Sequence, residues 1–173
     1  LKVDTVLDIG ANTGQYGEEL REAGFKGNII SFEPLLAAHT KLKERAKNDP
    51  SWRVIDQCAV GAEREQVTIN VSGNSVSSSI LGISDEHVAA VPDSEYVGKE
   101  VVQVETLNDL IPKLLPGENQ VHLKVDTQGY ERFVMQGGHE VLDRISSIEM
   151  EVSLSPMYEG GWLSHEAFSE MAK

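Results

Sequence analysis

The chain has 173 residues, 40% of them hydrophobic and 25% charged, which is typical of one ordinary globular domain. Its net charge of −13, without any basic stripe, disfavours a nucleic-acid partner, because Lys and Arg must neutralise the phosphates. The one cysteine, Cys58, excludes an intramolecular disulfide and a cysteine-rich metal site and fits a cytoplasmic protein. The sequence shows no transmembrane-length apolar run and no secretory signal, and because it opens almost on a strand we expect a missing upstream segment.

The hydrophobic pattern changes its period repeatedly, which predicts strands alternating with helices. The predicted buried strands are Thr5–Ile9, Asn28–Phe32, Arg53–Gln57, Val121–Asp126 and Ser147–Val152. The predicted helices are Gln15–Ala23, Leu35–Lys47, Leu107–Leu115, Tyr130–Leu142 with an interruption at its glycine pair, and Ser164–Ala172. We expect one α/β domain, residues 1–173, with a parallel sheet in the order 3-2-1-4-5 and helices on both faces.

Two further segments, Gln66–Val71 and Glu100–Thr106, alternate as half-buried strands do, and we predict that they pair as an accessory ribbon. Between them, Gly73–Gly98 is polar and serine-rich, and a loop of this length is usually functional or disordered. The serine hydroxyl groups of this loop could contact a polyhydroxylated substrate. A serine loop without function is the alternative. The candidate substrate contacts in this loop are Ser77, Ser78 and Ser79.

A glycine-containing turn and an acid at the next strand end predict a nucleoside site. Gly10 and Gly14 follow the first strand and let a ligand approach the main chain. Glu33 ends the second strand, at the same edge of the sheet, where its carboxylate can accept hydrogen bonds from two ribose hydroxyls. A structural turn beside a solvated carboxylate is the alternative.

The chemistry of the turn favours S-adenosylmethionine over a dinucleotide. Asn12 stands where the dinucleotide fingerprint has its second glycine, which lets the backbone meet the pyrophosphate. Asp8 would repel a pyrophosphate but could attract the ammonium of an amino-acid ligand. An NAD-dependent oxidoreductase and a noncatalytic nucleoside-binding domain stay open as alternatives.

Several motifs together resemble the FkbM family of methyltransferases, from about Thr5 to Tyr158. The matching segments are Val6-Leu7-Asp8-Ile9-Gly10-Ala11-Asn12-Thr13-Gly14, Phe32-Glu33-Pro34, Ala59-Val60-Gly61, Val104-Glu105-Thr106-Leu107-Asn108-Asp109-Leu110 and Leu123-Lys124-Val125-Asp126-Thr127-Gln128-Gly129-Tyr130-Glu131. The first motif occurs in many methyltransferases, whereas Lys-x-Asp-x-x-Gly-x-Glu in the last segment points to this family.

The resemblance implies a Rossmann-like class I methyltransferase fold, S-adenosyl-L-methionine as cofactor, and O-methylation of a sugar, glycan or secondary metabolite. The cofactor contacts so predicted are Asp8, Gly10, Ala11, Asn12, Gly14, Glu33, Pro34, Cys58 and Ala59. The family's fold would add a final antiparallel strand pair, and this chain stops at Lys173 before such a pair, so we expect a fragment.

An alcohol acceptor must lose a proton during methyl transfer, which requires a positioned base. Asp126 ends the fourth strand beside the first and is predicted to be this base or to orient the acceptor. Lys124 and Glu131 flank it and are expected to set its charge or bind substrate, while a structural ion-pair network is the alternative. His122 is read as a sheet histidine with satisfied hydrogen bonds.

The acids of the fifth strand raise the question of a divalent cation. Glu149 and Glu151 alternate on one strand face and could join Asp126 around such an ion. Strand-end acids without a clustered motif are weak grounds, so no metal is predicted.

Overall fold

The computed structural model describes residues 2–73, 77–82, 94–117 and 119–172. The strands are β1 Thr5–Ile9, β2 Asn28–Phe32, β3 Trp52–Val54, β4 Ala59–Val60, β5 Glu65–Ser72, β6 Tyr96–Glu105, β7 Val121–Val125 and β8 Ile145–Met150. The α-helices are α1 Gln15–Glu22, α2 Leu36–Ala46, α3 Leu107–Leu114, α4 Glu131–Gln136 and α5 Ser164–Met171. A short 3₁₀ turn, Leu142–Arg144, leads into β8.

Five of the strands form a parallel sheet in the order β3-β2-β1-β7-β8. This confirms the predicted α/β class and strand order, and it sets the carboxyl ends of β1, β2 and β7 side by side. The remaining strands form a second sheet, in which β5 runs antiparallel to β6 and the two-residue β4 runs parallel to it. The pairing of β5 with β6 confirms the accessory ribbon, whereas β4 was not predicted.

Helices cover both faces of the parallel sheet, because alternate residues of each buried strand point to opposite sides. Ile29 of β2 packs with Leu42 of α2 on one face. Its neighbour Ile30 belongs to the core on the other face, together with Ile111 of α3 and Val134 of α4. Helix α1 lies with α2, where Leu20 packs against the same cluster.

Two predicted elements end earlier in the structure than the sequence pattern indicated. The third strand ends at Val54 because the pairing with β2 stops at Ser31. The helix predicted from Tyr130 to Leu142 ends at Gln136, so the predicted interruption at the glycine pair is confirmed, but no α-helix resumes after it. A Cβ on Gly137 would lie 1.9 Å from the Gly61 carbonyl oxygen. That close approach docks the end of α4 against the chain segment after β4.

The ribbon is longer than the sequence pattern indicated, so less of the segment between its strands is loop. Strand β6 begins at Tyr96, and β5 continues to Ser72. Of the predicted loop, residues 74–76 and 83–93 lie outside the described residues. The part at 77–82 is joined to β5 by backbone hydrogen bonds between Ser79 and Asn70, at 2.9 and 3.1 Å.

Within the described ranges, no helix combines the length and the apolar character needed to cross a membrane.

Candidate active site

A cavity of about 360 Å³ opens at the carboxyl ends of β1, β2 and β7, where ligands bind in open α/β sheets. Eleven of the predicted site residues line it: Gly10, Ala11, Asn12, Glu33, Pro34, Cys58, Ala59, Ser78, Ser79, Lys124 and Asp126. Four predicted residues do not line it: Asp8, Gly14, Ser77 and Glu131. Other lining residues that the sequence did not single out include Gln15, Tyr16, Glu19, Phe32 and Gln128.

The turn after β1 uses its backbone N–H groups internally. Those of Gly10 and Ala11 donate to the Phe32 carbonyl, at 3.1 and 3.0 Å. The next three, at Asn12, Thr13 and Gly14, donate in order to the Glu33 carboxylate, the Gln15 side chain and the Ala11 carbonyl. An anion cradle needs free N–H groups, so this turn is not built to hold a phosphate.

Each glycine of the turn is required by packing within the protein. Gly10 has φ +79, and a Cβ there would lie 1.8 Å from the Asp126 carbonyl oxygen, so the close approach is to β7 rather than to a ligand. Gly14 has φ +91 and begins α1, and its Cβ would crowd Leu42 and the Trp52 ring. Trp52 is buried, and its ring is part of this packing.

Two hydrogen-bond acceptors face the cavity from β1 and β2. Glu33 is only 5% exposed, and its two oxygens accept the N–H groups of Asn12, at 2.8 Å, and Leu35, at 2.9 Å. Burial raises the pKa of Glu33 to about 7, against the lowering effect of these two bonds. The buried Asn12 Oδ1 has no hydrogen-bond partner among the described residues, so a ligand that donates hydrogen bonds would satisfy it.

The opposite wall of the cavity is apolar. Cys58 and Ala59 are buried and lie beside other hydrophobic lining residues, namely Leu35, Val60, Ile69 and Ile80. Burial raises the pKa of the Cys58 thiol to about 12, so this group stays neutral and unreactive at pH 7. The wall therefore suits a flat apolar group.

Lys124 joins three neighbouring backbone segments beneath the cavity. Its Nζ lies 3.3 Å from Asp8 Oδ1, 3.4 Å from Asp126 Oδ2 and 3.3 Å from the Gly10 carbonyl oxygen. Burial would lower the pKa of Lys124, but the two carboxylates raise it above its usual value, so the amine stays charged. Asp8 is fully buried, and the ammonium that it faces is that of Lys124.

Asp126 connects this ion pair to the end of β8. Its Oδ1 accepts a hydrogen bond of 2.7 Å from Gln128 Nε2, and the same nitrogen donates, also at 2.7 Å, to Glu151 Oε2. Although burial opposes it, the charge of Lys124 holds the pKa of Asp126 below its usual value. Burial and the neighbouring Asp126 carboxylate raise the pKa of Glu151 to about 7.

Glu131 supports the turn that carries these groups. It is 3% exposed, and its Oε1 accepts the N–H groups of Thr127 and Gly129, at 2.9 and 3.1 Å, and the Thr127 hydroxyl. The carboxylate is not among the lining residues of the cavity. Its position thus matches the structural alternative considered in the sequence analysis.

The cavity also contains a polar cluster that the sequence analysis missed as a unit. The Tyr16 hydroxyl lies 2.9 Å from Glu149 Oε2 and 3.2 Å from His122 Nε2, while His122 Nδ1 lies 2.8 Å from the Ser147 hydroxyl. His122 is thus satisfied within the sheet, as predicted. Tyr16 follows Gly14 by two residues at the start of α1, and that position was the available signal.

Two of the predicted serine contacts line the cavity through a segment held in place by protein partners. Ser79 donates to the Gln128 carbonyl at 2.6 Å, and Ser78 accepts the N–H of Ser72 at 3.0 Å. Across the described residues, no group of three or more His, Cys, Asp or Glu side chains is arranged to hold a metal ion.

Comparison with protein families gives one match, and it extends over nearly all of the chain. Residues 8–173 match the family model described as Methyltransferase FkbM domain. No curated protein and no solved structure matches the chain.

Proposed function

The chain belongs to the FkbM methyltransferase family, and on this premise we propose that it transfers the methyl group of S-adenosylmethionine to a hydroxyl oxygen of a sugar, glycan or secondary metabolite. The observation that carries the proposal is the pair of acceptors at the cavity, Glu33 and the unpartnered Asn12 Oδ1, beside an apolar wall. Hydroxyl and ammonium donors next to a flat base match that pattern.

The residues present fit the cofactor. The Glu33 carboxylate would accept the ribose hydroxyls, since each oxygen keeps a lone pair beyond its bond to a backbone N–H. Asn12 Oδ1 would accept from the amino-acid ammonium, and the wall at Cys58 and Ala59 would contact the adenine. When bound, the cofactor supplies an activated methyl group on a sulfonium.

The protein then has to align the acceptor oxygen, exclude water and take up one proton. Asp126 lines the cavity at the end of β7 and is our candidate for the group that the acceptor hydroxyl meets. Lys124 keeps this carboxylate ionised, which is the form that accepts a hydrogen bond from an alcohol. The hydroxyls of Ser78 and Ser79 lie at the same cavity and are proposed as further acceptor contacts.

The internal hydrogen bonds of the turn disfavour NAD. From Gly10 to Gly14, each N–H already has an acceptor within the protein, so a pyrophosphate would find no donors there. A noncatalytic nucleoside-binding domain would bind the cofactor but give no turnover. The cytoplasmic location inferred from the single cysteine stays a prediction.

Calorimetry and a methylation screen test the proposal. We expect S-adenosylhomocysteine to bind and NAD not to bind, and Asn12→Ala to weaken the first interaction by about tenfold through loss of one hydrogen bond. A screen with methyl-labelled donor and a panel of sugars, glycans and hydroxylated metabolites should give a labelled product. Binding of NAD alone, or labelling of nitrogen acceptors only, would contradict the proposal.

A further inference from the structure

Two carboxyl groups lie together where β7 and β8 end, and one amide group holds both. Gln128 Nε2 is 2.7 Å from Asp126 Oδ1 and 2.7 Å from Glu151 Oε2. Both carboxyls thus accept a hydrogen bond from the same nitrogen, and each affects the pKa of the other. Asp126 and Gln128 line the cavity, whereas Glu151 is exposed and is not among the lining residues.

The backbone at Gln128 is held in a conformation that a non-glycine residue rarely adopts. Its φ is +55, and such strained positions cluster at functional sites when the surroundings enforce them. Here the Tyr158 hydroxyl donates to Gln128 Oε1 at 2.8 Å, and Ser79 donates to the Gln128 carbonyl at 2.6 Å. These contacts fix the direction of the amide that bridges the two acids.

The charged groups around the pair favour one arrangement of its proton. Lys124 contacts Asp126, at 3.4 Å, and so stabilises the charge on that side. Burial disfavours a charge on Glu151, and so do the neighbouring carboxylates of Asp126 and Glu131. A single proton on the pair therefore resides on Glu151.

We propose that Asp126 and Glu151 act as one proton acceptor for the hydroxyl that is methylated, with Gln128 as the positioning residue. The inference rests on the proposed function. Asp126 alone would be a weak base because Lys124 stabilises its ionised form. A second carboxyl that shares the proton gives the pair a higher proton affinity than Asp126 has alone.

Before methyl transfer, the carboxyl groups of Asp126 and Glu151 are both ionised. The acceptor oxygen forms its bond to the methyl carbon as the methyl–sulfur bond breaks, with that electron pair left on sulfur. The oxygen–hydrogen bond breaks in the same step or after it. Its proton passes to Asp126 and is then shared with Glu151, and it leaves to solvent before the next turnover.

Carboxyl-carbon NMR of the labelled, cofactor-free chain tests the pairing directly. Glu151 should titrate near pH 7, and Asp126→Asn should lower this midpoint by about one pH unit through loss of the shared charge. Gln128→Gly removes the amide but suits the positive φ, and it should raise the midpoint because the donated bond favours the ionised form. The matched control is Glu140→Gln, a surface carboxylate, which should leave it unchanged.

Kinetics with the alcohol found in the methylation screen test the role of the pair. The turnover number should rise with pH through about 7. Glu151→Gln should abolish this rise and lower the turnover number by about 10²-fold. Two results would overturn the proposal. One is a titration midpoint of Glu151 that Asp126→Asn does not move, and the other is a turnover number that still rises with pH through about 7 in Glu151→Gln. Because the titration uses no cofactor, failure to bind S-adenosylhomocysteine would count against the proposed function alone.

Discussion

At the scale of single residues, Glu33 is expected to make ligand binding depend on pH. Its pKa is raised to about 7, mainly by burial, so half of the molecules carry a neutral carboxyl near pH 7. Only the ionised form can accept a hydroxyl donor on both oxygens. The affinity for S-adenosylhomocysteine should therefore rise with pH, and we expect about tenfold weaker binding at pH 6 than at pH 8 by calorimetry.

The control for this prediction is Glu33→Gln, which keeps the shape of the side chain but cannot ionise. It should bind the same ligand more weakly, by about 1–3 kcal/mol, and with an affinity that does not change between these pH values. A pH dependence that persists in this variant would assign the titrating group to another residue.

At the scale of secondary-structure elements, Lys124 and Asp8 join β7 to β1 through buried charges. The two residues are register partners in adjacent strands, and Asp8 is fully buried. Lys124→Met would leave this carboxylate without its counter-charge, and we expect a loss of about 3–5 kcal/mol in the free energy of unfolding, measured in urea. Adding Asp8→Asn should recover most of the lost free energy of unfolding, because both charges of the ion pair are then absent.

A double variant as unstable as Lys124→Met alone would contradict this reading. It would indicate that Lys124 stabilises the fold chiefly through Asp126 or the Gly10 carbonyl, its other two neighbours.

The same elements show why the site was predictable in part. The sequence was sufficient to place Gly10 and Glu33 at the cavity, because each directly follows a strand with a clear hydrophobic pattern, and parallel strand ends meet at one edge. It was insufficient for Tyr16 and Glu149, whose hydrogen bond joins residues 133 positions apart. Which side chains meet across such a distance depends on helix position and strand register.

A similar limit applies to roles within a recognised motif. Glu131 belongs to the motif that identifies the family, yet its carboxylate is buried in the turn that it stabilises. Asp8 was expected to face a ligand ammonium, but the protein supplies Lys124 as its partner. A motif records which residues occur together and does not separate those that support a site from those that line it.

At the scale of the whole molecule, charge favours a cationic ligand. The net charge is −13, and among the described residues the cavity is lined by four acids, Glu19, Glu33, Asp126 and Glu149, and by one base, Lys124. S-adenosylmethionine carries a net positive charge, whereas S-adenosylhomocysteine is neutral overall. Raising ionic strength from about 0.01 M to about 1 M should weaken binding of the methylated form by roughly a few-fold.

The neutral product is the internal control, because screening should leave its affinity nearly unchanged. Equal salt dependence of the two ligands would indicate that the charge of the acids is offset by bound protons or by Lys124, and not by the cofactor.

The turn from Gly10 to Gly14 has a consequence for how the cavity meets its ligand. Every N–H of the turn is already bonded inside the protein, so none has to exchange water for ligand when the cavity fills. The free chain is thus preorganised, and little conformational entropy remains to be lost on association. Slow hydrogen–deuterium exchange at these five amides should be a property of the empty protein and should change little on binding.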